Sequence, residues 1–307
     1  IVANPKRAYI GNKFCLELQN TLSGWLYNAE GGQAQTESVN ERVAGGHPVR
    51  KHPGNVKVNE ISVTCGTGMS SQFYEWLKKS LEYNHERKEG AVITCDYDFK
   101  EVARQTFYQT LISEVGLPGL DATSRDAAKF NLKFSPEYTE MKYNGGGTMR
   151  GATDQARQKL WTASNFRLQI DGMDCKRIYK IEPIVIKQNI VDNTIGERLI
   201  FEKEPAQIDF PNLVITIPEV DIEPWYKWHE DFVVRGKSAP ANEKGGSLDY
   251  LASDMHTELF NLSFENLGII KFTPDKLDSG SDKLRYVKVE MYCESMKFKY
   301  SPNATWQ

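Results

Sequence analysis

The sequence predicts a mainly β (α+β) protein of two tandem domains, each a β-barrel or β-sandwich with one flanking α-helix. Three observations carry this. Short segments alternate apolar and polar residues with a period of two, as half-buried strands require. Each half of the chain holds one segment with apolar residues at three- and four-residue steps, the mark of a helix with one buried face. The third observation is that the halves repeat one another. Phe14-Cys15-Leu16-Glu17-Leu18 returns as Phe166-Arg167-Leu168-Gln169-Ile170, and Phe73-Tyr74-Glu75-Trp76 as Trp225-Tyr226-Lys227-Trp228, both at an offset of 152. Leu120-Asp121 then matches Leu277-Asp278, and Met141-Lys142-Tyr143 matches Phe298-Lys299-Tyr300, at an offset of 157. The order is kept and the shift grows by five, as one loop insertion would produce. Solenoid units run to about 20–50 residues, so this period signals tandem domains instead. The expected division is residues 1–144, a linker at 145–160, and residues 161–307.

Taken in order, Phe14, Leu16 and Leu18 read as a strand, and Leu22 to Tyr27 continues the sheet after a turn. Residues 28–55, with Gly31-Gly32, Gly45-Gly46, Pro48 and Pro53, read as a long polar loop. Val56 to Thr64 resumes a strand. Ser70 or Ser71 then supplies an acceptor for the first free amides of a helix. Phe73, Trp76, Leu77 and Leu81 form its buried face, and Gly90 is read as its end. Ala91 to Tyr97 and Ala103 to Leu111 read as a hairpin, with Phe130, Leu132 and Phe134 as a closing strand.

The second half follows suit. Strands are expected at 166–170, 178–186 and 212–217, then a helix from about Pro224, where a missing amide hydrogen costs nothing. Trp225, Trp228, His229 and Phe232 are its apolar stripe. Strands near 247–252, 256–264 and 285–293 complete the repeat. Residues 144–148 read as a flexible joint, and 152–160 as a short helix. One helix cannot cover a six-stranded sheet on all sides. A neighbouring copy is the simplest protection for its edges.

Composition narrows the function classes. Residues 1–150 carry 18 Lys and Arg against 17 Asp and Glu, a net of +1; residues 151–307 carry 20 against 24, a net of −4. Neither half has the clustered positive charge that binding to phosphate backbones needs. Nucleic-acid binding is not the expectation, and nucleic acid would enter only as cargo of a lumen such as the resemblance given below implies. Cys15, Cys65, Cys95, Cys175 and Cys293 are scattered and never form a CxxC pair, the usage of small buried side chains in a reducing compartment. No apolar run approaches the roughly 20 residues of a membrane span. Ile1 to Arg7 lacks the apolar stretch of a signal peptide, so assembly in the cytoplasm is expected, with Ile1 as a trimmed or processed end.

The candidate chemical motifs are weak. Arg235-Gly236-Lys237-Ser238 looks like the end of a phosphate loop, but Asp231 stands where the first glycine should be, and the segment follows a helix. A basic helix C-terminus explains it better. Glu219, Asp221 and Glu223 would line one face of a strand with carboxylates, yet they also feed the start of the helix at Pro224, where negative charge is stabilised. Asp96 and Asp98 flank a turn. His47, His52, His85, His229 and His256 show no metal spacing. No catalytic, metal or cofactor residues are assigned, and no enzyme activity is expected. The side chains singled out are the helix anchors Phe73, Trp76, Leu77, Trp225, Trp228 and Phe232.

The succession of motifs resembles the tail tube protein of contractile-tailed phages and of related extracellular contractile injection systems. The resemblance runs through Leu22-Ser23-Gly24-Trp25-Leu26 with Glu30-Gly31-Gly32 and through Ile61-Ser62-Val63 into the Phe73–Trp76 helix. It ends in Pro118-Gly119-Leu120-Asp121-Ala122 before the Phe130–Phe134 strand. In the second half it rests on Phe166 to Gly172, Trp228 and Pro274-Asp275-Lys276-Leu277-Asp278. It implies a β-barrel with a flanking helix, assembling into six-membered rings that stack into a hollow tube. Residues 28–55, with Gly31, Gly32, Gly45 and Gly46, and less clearly 188–210, would reach the adjacent ring. Family members carry one domain; two per chain imply a ring of three chains with pseudo-sixfold symmetry, within a phage tail or phage-tail-like particle. Sheath, baseplate or terminator proteins are the implied further partners. The alternatives are a hub, adaptor or terminator ring of the same machinery, and a two-domain ligand-binding β protein with a cleft between the halves.

Overall fold

A computed structural model describes residues 13–41, 50–143, 146–149, 161–193, 201–276 and 284–301. The first half runs β1 (Lys13–Leu18), β2 (Thr21–Gly31), β3 (Ala34–Glu41), β4 (Arg50–Val58), β5 (Ile61–Cys65), α1 (Ser71–Leu81), β6 (Lys88–Cys95), β7 (Glu101–Leu117), β8 (Leu120–Asp121), β9 (Phe130–Ser135) and β10 (Tyr138–Tyr143). The second runs β11 (Phe166–Ile170), β12 (Lys180–Ile181), β13 (Ile184–Asn193), β14 (Glu202–Asp209), β15 (Leu213–Pro218), α2 (Glu223–His229), β16 (Lys244–Leu251), β17 (Glu258–Pro274) and β18 (Tyr286–Tyr300). The architecture is mainly β with few helices.

In the first half β7-β6-β1-β2-β5-β9 closes on β7 again, a six-stranded barrel. In the second, the sheet order is β11-β16-β17-β18-β15-β12, with β8 from the first half added beyond β12. Each strand here has a counterpart in the barrel by position in its half, and the counterparts follow one another in the same order. The second sheet is open because the pairing equivalent to β1–β2 is missing. The start of β2, which pairs with β1, corresponds to residues 173–178, and these form turns. Asp174 accepts a hydrogen bond from the Lys176 amide at 3.1 Å, the local bond by which aspartate diverts backbone from a sheet.

Registers agree as closely as the order. The bulge in the β7–β9 ladder lies between Ile112 and Glu114, and that in β17–β18 between Ile269 and Lys271, 157 positions on. The β3–β4 hairpin pairs Gln35 with Lys57, Thr36 with Val56 and Ser38 with Pro53. Adding 152 to each gives the β13–β14 pairs Lys187 with Asp209, Gln188 with Ile208 and Ile190 with Pro205.

Both halves feed one apolar core. Phe130 lies 5.0 Å from Phe260 between ring centres, Trp161 bridges to Tyr250 at 5.3 Å, and Tyr74 stacks on Phe298 at 6.2 Å. Aromatic pairs at such separations contribute beyond their buried area. Helix α1 is placed by its N-terminus: the Ser70 hydroxyl accepts from the Phe73 amide at 3.3 Å, while the Ser70 amide donates to the Ser23 carbonyl of β2 at 2.7 Å.

Several expectations change. The polar segment read as a loop over 28–55 contains the end of β2 and the hairpin β3–β4, and 188–210 contains most of β13–β14. Helix α1 stops at Leu81, not at Gly90: the Glu82 amide bonds to the Lys78 and Lys79 carbonyls and Tyr83 takes a φ of +61°. Gly90 sits within β6, where a Cβ would strike the Glu17 carbonyl and the Phe107 ring. The strand expected at 178–186 is split into β12 and the start of β13, and the strand after β16 extends ten residues beyond the expected 264. Glu219 to Asp221 form a 3-10 turn that leads into α2, in keeping with the helix-start reading. The expected helix at 152–160 lies outside the described residues.

Candidate assembly interface

The strand β7 is long enough to be shared. Its first part, to Thr110, lies between β6 and β10; its last part lies between β9 and β13. Hairpin β13–β14 thus extends the first-half sheet along the line of β6, with Ile184 opposite Leu117, Ile186 opposite Val115 and Lys187 opposite Glu114. Main-chain pairing of this kind satisfies the amides and carbonyls that an edge leaves open.

Side chains complete the joint. Ile186 and Ile208, one from each strand of the hairpin, line a small cavity with Ser80 and Leu81 from α1 and with Ile112 and Ser113 from β7. Burial of such branched side chains stabilises the joint by about 1.5–3 kcal/mol each. At the hairpin's other strand, Arg87 donates to the Lys203 carbonyl at 2.7 Å and pairs with Glu137, and its guanidinium lies 3.7 Å from Glu202. The Lys203 amide donates to Glu137 at 3.2 Å and its ammonium to the Ser135 hydroxyl at 3.1 Å. A second contact joins β8 to β12, Leu120 opposite Ile181.

Against this stands β3–β4. It pairs with no other strand among the described residues, and every residue of β3 is exposed. A lone two-stranded hairpin is marginal in water. At its base Gly31 and Gly32 have φ of +93° and +75°, and a Cβ on Gly31 would meet the Glu60 carbonyl. These glycines turn the chain from β2 into the hairpin. Gly45 and Gly46, the other residues expected to contact an adjacent ring, lie outside the described residues.

The helix anchors all face inward. Phe73, Trp76 and Leu77 are fully buried, and the Trp76 indole donates to the Glu86 carbonyl at 2.8 Å. Trp225, Trp228 and Phe232 are buried as well, although α2 ends at His229 and Phe232 lies on the π-helical turn that follows. Sequence reasoning missed the docking residues of β13–β14. The available signal was Ile184 and Ile186, alternating at the start of β13, and Ile208, apolar on the mostly polar β14.

The chemical candidates have structural partners. Arg235 pairs with Glu230 and Asp231 at the end of the helix, and the Lys237 amide donates to the Asp231 carbonyl at 3.0 Å. Glu219 pairs with Arg285 at 2.9 Å and Asp221 with Arg177 at 3.0 Å. Asp96 accepts from the amides of Asp98 and Lys100, both at 2.9 Å, closing the β6–β7 turn. His229 lies tilted against Phe272, with ring centres 5.8 Å apart. Among the described residues no group of three or more His, Cys, Asp or Glu is placed to hold a metal ion. Burial pushes the Cys65 thiol far above its usual range, and those of Cys175 and Cys293 to about 11. Such thiols are not thiolates at neutral pH. No helix of the described residues is long and apolar enough to cross a membrane.

With this geometry in view, residues 11–140 match the family of the T4-like virus tail tube protein gp19. The match takes in the closed barrel with α1 and covers less than half of the chain. No curated protein matches the sequence. Among solved structures, the chain is similar to the tube-terminating cap of the anti-feeding prophage, at 16% identity and a TM-score of 0.39, over 45% of this chain and 93% of that one. It is similar to a chain of the sheath–tube complex of the extracellular contractile injection system PVC, at 16% identity and a TM-score of 0.39, over 45% and 94%. Hcp1 from Flavobacterium johnsoniae aligns at 12% identity and a TM-score of 0.27, over 44% and 95%. The first half is thus similar to a tail tube domain, and the family it matches is structural, not enzymatic.

Proposed function

We propose that this protein is a tube-forming subunit of a phage-tail-like particle, with two tail tube domains fused in one chain. Three chains then make a pseudo-hexameric ring, and rings stack into a hollow tube. The observation that supports this best is the joint between β7 and β13–β14. It links two sheets of the same strand order and register in a head-to-tail manner, and a head-to-tail contact that repeats by rotation closes into a ring. The domain division follows the repeat: 1–144, a linker at 145–160, and 161–307. Residues 42–49, which join β3 to β4 in the sequence, with Gly45 and Gly46, are assigned to stacking on the adjacent ring. Sheath, baseplate and terminator proteins are the further partners, and the particle assembles in the cytoplasm.

Electron microscopy of the concentrated protein tests this reading. Rings and tubes are expected; compact monomers at every concentration and salt would overturn it. One observation favours a second role within the same machinery. The first barrel is closed and the second is open, so the two domains do not present identical surfaces. A hub, adaptor or terminator built this way forms one ring and does not polymerise. Deleting residues 42–49 separates the two: a tube subunit loses tubes and keeps rings, whereas a single-ring component is unchanged.

A further inference from the structure

We propose that the free hairpin β3–β4 of one copy docks on the outer edge of β17 in a second copy, in the arrangement that β13–β14 adopts on β7 within the chain. This rests on the ring reading above and names the surface that would close the ring.

Four observations carry it. First, β17 presents the edge that β7 has covered. Strand β16 pairs with β17 only as far as Leu267, and among the described residues nothing pairs with Ile270–Pro274 on that side. The equivalent part of β7, Ser113–Leu117, is where β13 lies. Second, the hairpin β3–β4 has the register of β13–β14 residue for residue, bulge included, but no partner strand among the described residues. Transferring the in-chain pairs by the two offsets sets Ala34 opposite Phe272 and Gln35 opposite Lys271.

Third, an apolar patch lies bare where the hairpin would sit. Leu81 and Ser113, covered by β13–β14, are 5% and 7% exposed. Their counterparts Val233 and Ile270 are 46% and 41% exposed, with Val234 beside them at 71%. Val56, the counterpart of Ile208, would cover them.

Fourth, the Arg87–Glu202 charge pair is reversed in concert. In the chain Arg87 faces Glu202 on the hairpin. Lys88 pairs with Thr110 as Lys244 pairs with Leu267, so the ladders make Glu243 the counterpart of Arg87, and the offset of 152 makes Arg50 that of Glu202. Lys203, whose backbone amide bonds to Glu137, corresponds to Lys51, and Glu137 to Glu294. The first pair exchanges signs and the second positions keep theirs, so Arg50 and Lys51 of one copy meet Glu243 and Glu294 of the next. Strand addition at an edge, with side chains setting specificity, is a general mode of protein recognition.

The test is a disulfide across the proposed ladder. Gln35→Cys and Lys271→Cys replace exposed residues, and directly paired strand positions bring Cα atoms within disulfide range. Mild oxidation of the full-length double variant is expected to give covalent dimers and higher multiples that neither single variant gives. Rings by microscopy without these cross-links would overturn the docking and leave the ring reading standing. Monomers alone, by both cross-linking and microscopy at every concentration, would overturn both. Multimers from a single variant in equal yield would also count against the pairing.

Discussion

Arg87 and Glu202 lie 3.7 Å apart although they belong to different halves of the chain, and the residues at their repeat positions, Glu243 and Arg50, carry the opposite charges. Two surfaces that exchange sign together remain complementary. A chance drift of either alone would set like charges face to face.

The charge exchange predicts a rescue. Glu243→Arg places a third cation beside Arg50 and Lys51 and weakens self-association, by about tenfold at low salt. Arg50→Glu alone also weakens it, against Glu243 and Glu294. The combination Glu243→Arg with Arg50→Glu reproduces the in-chain pair and recovers most of the loss. Sedimentation at several concentrations and salts measures all three.

The helix anchors predict a graded loss of stability. Trp76→Ala and Trp228→Ala each cost about 3–5 kcal/mol, the usual loss for an emptied aromatic site. Trp76 is expected at the upper end, because it is fully buried and its indole bonds to the Glu86 carbonyl. Trp228 is 9% exposed and its indole nitrogen has no hydrogen-bond partner among the described residues. Urea denaturation of the two variants orders them; unfolding like that of the parent in both would contradict the packing.

Gly31 predicts a backbone effect. Its φ of +93° and the Glu60 carbonyl beside it leave no room for a Cβ. Gly31→Ala is expected to cost about 1–3 kcal/mol and to loosen the base of β3–β4, seen as faster amide exchange there. Gly236→Ala, with open space around it, costs only what its φ of +68° imposes.

Acid should weaken the fold through carboxylates held ionised. Bonds from the Thr257 hydroxyl and from the Thr257 and His256 amides lower Asp254 to about 2, and hydrogen bonds from Thr123 lower Asp121. The Lys288 ammonium lowers Glu182. A depressed native value means that the unfolded chain binds more protons in acid. Their stabilisation is complete above about pH 4, the ordinary carboxylate range, and is lost as pH falls towards about 2. Asp254→Asn is expected to flatten that acid limb in thermal melts between pH 5 and 2.

Much of the architecture was legible in the sequence because burial imposes a period. Phe73, Trp76, Leu77 and Leu81 mark the start and the buried face of α1, though not its end, and Phe130, Leu132 and Phe134 alternate along β9. The hairpins were not legible. Both faces of β3 meet solvent, so Ala34 to Glu41 carries no alternation and reads as loop. Gly90 misled because glycine both ends helices and admits close strand packing, and here Phe107 decides for the second. The joint itself depends on Leu117 meeting Ile184 across two halves, a pairing that no local pattern encodes.

The mass of the assembled particle tests the central claim most directly. Native mass spectrometry of the full chain, from dilute to concentrated, is expected to show a three-chain species and its multiples, with few two-chain intermediates once the ring has closed. A single-chain species at all concentrations, or a closed species of two or four chains, would contradict the account.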